Sequence, residues 1–206
     1  YVSYTFRPKK YNDIKINNEI YDNSSTAIII QGPLYGLEKY VKETLLLYSG
    51  IFENVSIILS TWKDECKPDF YNEFKNYKNI KILLNEKPKT THNIDMQILS
   101  TFTALKFLDE NNIKYCLKTR TDCRIHKKNS LFFLKNLLKN YPIDKKFNNL
   151  QERIIACSVD TRKYRVYGLS DILLFTSTNN LIKYFNEKKY DSSLEEMGLP
   201  ANPSLK

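Results

Sequence analysis

Tyr115-Cys-Leu-Lys-Thr-Arg-Thr-Asp-Cys-Arg-Ile-His-Lys-Lys128 is the stretch on which the reading of this chain turns. A short apolar run, Tyr115-Cys-Leu, passes into a single carboxylate, Asp122, set among Lys118, Arg120, Arg124, Lys127 and Lys128. Arg120 and Asp122 are two residues apart and so lie on the same side of an extended segment. Mutual pairing at the surface would be worth roughly 0–1 kcal/mol, too little to account for so many bases around one acid. The arrangement instead suits a strand end that holds phosphate, with Arg120 and Arg124 as bidentate donors and Asp122 holding a divalent cation or a ribose hydroxyl.

Working outward, apolar runs of strand length recur on both sides. Ala27-Ile-Ile-Ile30 stops at Gln31-Gly-Pro33, and Val55-Ser-Ile-Ile-Leu-Ser60 stops at Thr61-Trp62. Ile80-Lys-Ile-Leu-Leu84 leads into the polar stretch 85–93. Further strands are expected at 154–158 and 171–177. Helices are expected between them, over 37–48 with Gly50 as its cap, from Pro68 to about residue 77, over 94–111 behind Asn93, from Ser130 through 140, and over 179–186. Near-continuous apolar strands alternating with amphipathic helices predict an α/β domain, a mostly parallel sheet covered by helices on both faces. Residues 1–23 read as an N-terminal arm and 24–206 as the domain, in a chain that opens on Tyr1 rather than Met and has the look of a trimmed one.

Ligands of such sheets sit beyond the carboxyl ends of the strands. That edge gathers Gln31, Gly32, Thr61, Trp62, Lys118, Arg120, Asp122 and Arg124: an amide, a tight turn, an aromatic that can stack on a base or sugar, and cations for a diphosphate. Trp62 has an equally good role as a cap on the core. No Gly-x-x-x-x-Gly-Lys-Ser/Thr loop and no Gly-x-Gly-x-x-Gly is present, which argues against P-loop and dinucleotide chemistry. His92 and His126 have no partner at metal-ligand spacing. Cys66, Cys116, Cys123 and Cys157 form no Cys-x-x-Cys pair and suit free thiols in a reducing, cytoplasmic setting. The net charge of +9 favours an anionic partner, but lysines dispersed among acids, as in Lys63-Asp-Glu65, weigh against a nucleic-acid surface.

Taken together and in this order, Ile28-Ile-Ile-Gln-Gly-Pro-Leu34, Ile57-Ile-Leu-Ser-Thr-Trp62, the helix carrying Asn93, Gln97, Ser100 and Thr101, and Lys118-Thr-Arg-Thr-Asp-Cys-Arg-Ile125 resemble the WavE family of lipopolysaccharide and capsule biosynthesis proteins. The resemblance runs over about residues 26–185, through Ser170-Asp171. It implies a single GT-A-like (Rossmann-like) glycosyltransferase domain that moves a sugar from a nucleotide sugar to a glycan or lipid-linked glycan of the bacterial surface, at the inner face of the membrane. In that fold an Asp-x-Asp motif after the fourth strand holds Mn or Mg on the diphosphate. The matching triplet here is Arg120-Thr121-Asp122, with Arg in place of the first acid. Two alternatives follow: Asp122 holds the metal with water and phosphate oxygens, or Arg120 neutralises the leaving diphosphate without one. Asp171, after the Gly168 turn, is the expected base, with Glu195 and Glu196 behind it. Rival readings are a sugar-phosphate nucleotidyltransferase, which a loop holding only Gly32 and Gly36 suits poorly, and a non-enzymatic nucleic-acid-binding protein.

Overall fold

The computed structural model describes residues 23–89, 93–144, 150–162 and 168–186. The predicted arm, all but Asn23, and His92, Glu195 and Glu196 lie outside those residues. Six strands form one sheet: β1 (Thr26–Gln31), β2 (Ser56–Trp62), β3 (Ile80–Asn85), β4 (Tyr115–Arg120), β5 (Ile155–Ala156) and β6 (Leu173–Ser177). Their order across the sheet is β3-β2-β1-β4-β6-β5. The four strands β1 to β4 are mutually parallel, whereas β6 runs antiparallel to both β4 and β5. The expected α/β architecture with a mostly parallel sheet is therefore present.

Every residue of β1 is buried, as expected of a central strand covered on both faces. Alternate residues feed two cores. Ile28, Ile30, Ile57, Leu59 and Leu117 meet the helices α1 (Glu38–Ile51), α2 (Pro68–Phe74) and α4 (Ser130–Asn140) through Val41, Leu45, Tyr48, Phe74 and Leu131. Ala27, Ile29, Ile58, Cys116 and Leu174 meet α3 (Asn93–Glu110) and α5 (Thr178–Phe185) through Ala104, Leu105, Leu108 and Leu181. Burying a side chain such as Leu45 or Leu105 stabilises the fold by roughly 1.5–3 kcal/mol, so either interface would be badly weakened by one Leu→Asp change. No described helix is long and apolar enough to cross a membrane.

Two local expectations need correction, and one feature lies outside what was expected. Gly50 lies inside α1, which runs on to Ile51 and is closed at Phe52, whose N–H reaches the Tyr48 carbonyl at 3.0 Å. Ser130 is the first residue of α4 rather than its cap, and its Oγ donates back to the Lys127 carbonyl at 2.7 Å. The most consequential difference is at β6. Because β6 is antiparallel, its beginning and not its end meets the carboxyl edge of β4, and its pairing stops at Leu173 opposite Thr119. That reversal brings Asp171 to the ligand edge; a parallel sixth strand would have put it at the far side of the sheet.

Candidate functional site

The chain builds β1, β2 and β3 outward in one direction and then places β4 on the other side of β1. Between β1 and β4 the two successive loops diverge, which leaves a crevice beyond the strand ends. A cavity of about 470 Å³ opens there, within the range of small-molecule sites. Its walls are Gln31, Gly32, Pro33 and Leu37 after β1, Trp62 and Glu65 after β2, Lys87, then Asn93, Met96 and Gln97 on α3, and Arg120, Thr121 and Asp122 after β4.

The floor is set by backbone. Gly32 N–H donates to the Ser60 carbonyl at 3.2 Å and Thr121 N–H to the Gln31 carbonyl at 3.0 Å, so β1 ends locked to both neighbours. Gly32 has φ +138°, and a Cβ there would stand 2.5 Å from Thr121 Oγ1. Only glycine fits both the angle and the approach. The following loop is held from outside by Glu65, whose Oε2 accepts the N–H groups of Leu34 and Tyr35 at 2.8 and 3.2 Å. Glu65 Oε1 pairs with Lys87 Nζ at 2.7 Å, and Lys87 also reaches Asp64 at 2.8 Å.

Arg120 is the centre of the polar wall. Its Nε and Nη2 grip Asp122 at 2.9 and 2.6 Å, while Nη1 stands 3.5 and 3.4 Å from the two oxygens of Asp171. The guanidinium hydrogen bond holds the Asp122 carboxyl below its usual range, partly opposed by desolvation. Burial, and after it the Asp122 carboxylate, push the neighbouring Cys123 thiol up to about 11, which favours its protonated form. Asp171 does not itself line the cavity, but its carboxylate accepts from two residues that do, Arg120 and, through Oδ2, Gln97 Nε2.

Of the residues expected at the site, Gln31, Gly32, Trp62, Arg120 and Asp122 line one cavity and Asp171 adjoins it. Trp62 is 2% exposed, so it serves as a buried wall rather than an open stacking platform. Three expectations fail. Thr61 points into the opposite core, where it is fully buried and its Oγ1 has no hydrogen-bond partner among the described residues. Lys118 is likewise fully buried beneath the site and does not face the cavity. Arg124 turns away: Nε donates to Thr44 Oγ1 at 2.8 Å, Nη2 to the Tyr40 carbonyl at 2.7 Å, and the guanidinium stacks 4.0 Å from the Tyr40 ring, all on α1.

Glu65, Lys87, Met96 and Gln97 are cavity residues that the strand-end argument did not reach. Glu65 lies three residues past Trp62 and Lys87 two past Asn85, just beyond the strand ends that were read. Gln97 is one helical turn from Asn93 on the first turns of a helix entering from that edge, which is the signal that was available.

The carboxylates do not fit a divalent metal as they stand. Both Asp122 oxygens are occupied by Arg120, and no group of three or more His, Cys, Asp or Glu is gathered among the described residues. An ion with few protein ligands would first have to displace the guanidinium. No protein-family model matches the chain, and no curated protein matches it.

Proposed function

We propose that this chain is a GT-A-like, Rossmann-like glycosyltransferase that binds a nucleotide sugar in the crevice between β1 and β4 and passes the sugar to a glycan or lipid-linked acceptor of the bacterial surface. The observation that carries this reading is the coincidence of the cavity with the point where the strand order reverses, walled there by Gly32 on one side and by Arg120 and Asp122 on the other. A backbone that can be approached closely, beside a guanidinium, is what a phosphate chain requires.

In this mechanism Arg120 stabilises the negative charge that collects on the departing diphosphate, as donors fixed at a site of developing charge do best. Lys87 is the second cation within reach. The acceptor hydroxyl gives its proton to Asp171, the acceptor oxygen bonds to the anomeric carbon, and the anomeric bond to the diphosphate oxygen breaks with its electron pair leaving on phosphate. Oδ2 of Asp171 is engaged by Gln97, while among the described residues Oδ1 has only the 3.5 Å approach of Arg120 and is the oxygen with room for that proton. Among the described residues lining the cavity, both cations are already paired, Arg120 with Asp122 and Asp171, Lys87 with Asp64 and Glu65. A donor therefore enters by exchanging with Asp122 on Arg120.

The test is a hydrolysis screen across sugar nucleotides, with and without Mn, joined to thermal-shift measurements against nucleoside diphosphates and a DNA or RNA oligomer. Donor-dependent release of nucleotide and stabilisation by the diphosphate are expected. Stabilisation by the oligomer alone would end the transferase reading.

A further inference from the structure

A lysine with no exposed surface in the second of two central strands is costly to keep, because burial opposes its charge. Lys118 has that position on β4, on the face covered by α3. It makes no contact with the cavity. Its Nζ donates instead to the backbone carbonyl of Asp171 at 2.7 Å and lies 3.8 Å from the Asp171 carboxylate. The next residue on the other face, Thr119, donates through Oγ1 to the carbonyl of Ile172 at 3.0 Å. Two consecutive β4 side chains thus hook two consecutive carbonyls of the loop just before β6, where ladder pairing has already ended.

We infer that Lys118 is a positioning residue: from inside the sheet it fixes the backbone and carboxylate of Asp171 against Arg120 and Gln97, and the chain sacrifices stability to keep it there. The inference rests on the transferase reading for the role of Asp171, but not for the cost of the buried cation. The geometry supports it in two ways. A Thr119-type hook alone would anchor the loop, so a neutral hydroxyl would serve if anchoring were all that was needed. Only a cation also faces the carboxylate, and Asp171 is the one acid within ion-pair distance of Lys118 among the described residues.

Burial pulls the Lys118 ammonium down to about 8, with Asp171 the chief opposing influence. The other charged or titratable groups acting on it are Arg120, Cys123 and Asp122; α3, packed over this face, brings the uncharged Gln97 to Asp171. The sign is clear. The folded protein gives up this proton more readily than the unfolded chain, so the penalty is complete at pH 7 and fades as pH rises from 8 toward the ordinary lysine range.

The experiment is Lys118→Met in the full chain, compared with wild type for melting, donor affinity and turnover. The chain has a single tryptophan, and since it is Trp62 in the cavity wall, its emission reports binding without needing catalysis. The expected result at pH 7 is a Tm at least equal to that of wild type and on the order of 5 °C higher if the apolar chain packs well. The difference shrinks toward pH 10. Donor affinity stays within about threefold while turnover falls at least 30-fold, the mark of a misplaced group rather than a lost ligand. A Tm lowered by more than about 5 °C, or a variant that does not fold, overturns the claim that the charge is costly. Unchanged turnover overturns positioning. In wild type, one lysine ε-carbon resonance titrating near 8, and shifted lower by Asp171→Asn, is expected; all lysines titrating together would refute the buried pair. Should wild type turn over no sugar nucleotide at all, the transferase reading fails by itself, while the melting and titration results still decide Lys118.

Discussion

The two halves of one basic segment meet opposite fates. Residues 118–122 stay in line with β4 and deliver Arg120 and Asp122 to the cavity over a buried Lys118. Residues 123–128 fold back toward α1: Arg124 is stacked on Tyr40 and bonded to Thr44, the Ile125 N–H reaches Tyr48 Oη at 2.8 Å, and Lys128 pairs with Glu53 at 2.9 Å. In sequence the halves look alike, short runs rich in bases on either side of the one acid, Asp122. What separates them is the partner each finds. Strand direction aims the first half beyond the sheet, and α1 offers the second half a carbonyl, two hydroxyls and a ring. Charge density in a sequence therefore locates a segment that reaches the cavity without saying which of its charges face it.

Mutations that treat the two arginines alike break or sharpen that contrast. The largest effect is expected from Arg120→Ala: donor turnover falls about 10²–10³-fold, as for loss of one donor to developing charge, with Tm little changed because the side chain is partly exposed. A steady-state assay beside a melting curve checks both halves of the statement. Arg124→Ala should do the reverse. Loss of its charged hydrogen bonds and its stacking on Tyr40 costs about 2 kcal/mol by denaturant unfolding, with donor affinity by Trp62 emission unchanged. Were turnover to collapse in Arg124→Ala at normal stability, the division between the halves would be wrong.

Asp122→Asn is the sharper and smaller test. It removes the carboxylate that occupies Arg120, so affinity for a nucleoside diphosphate in the presence of a chelator should rise about two- to fivefold, roughly the worth of a half-exposed ion pair. A fall that Mn restores in wild type only would show Asp122 holding a metal. Smallest of all, Lys128→Ala should leave Tm and turnover unmoved, because both it and Glu53 are largely exposed. A measurable loss of donor binding in that variant would extend the site into the second half.

Much of the framework could be read from the residues. The apolar runs at 27–30, 55–60 and 115–117 announced buried strands, and their polar ends announced the edge at which the cavity opens. Three things could not be read, each for a physical reason. The direction of β6 depends on which neighbour it pairs with, and a five-residue run such as Leu173–Ser177, apolar in its first three positions, carries no sign of parallel or antiparallel pairing. Lys118 looked like a phosphate ligand because its burial is decided by α3 and by the loop at Asp171, distant in sequence. Glu65 reads as one charge of the mixed Lys63-Asp-Glu65 run and Lys87 as part of the polar stretch 85–93, though Glu65 shapes the loop over the cavity through two backbone N–H groups. Asp171, expected as the base, stands beside Arg120 next to the cavity, yet it arrives there through an antiparallel strand that a mostly parallel sheet did not foretell.

Whether the crevice between β1 and β4 holds a nucleoside diphosphate through Arg120 decides every other assignment at the site. Titration of Trp62 emission with nucleoside diphosphates and sugar nucleotides answers this in wild type, Arg120→Ala and Arg124→Ala. A saturable change in wild type, kept in Arg124→Ala and weakened at least tenfold in Arg120→Ala, is the predicted result; no response to any of these ligands, or equal affinity in all three proteins, would contradict it.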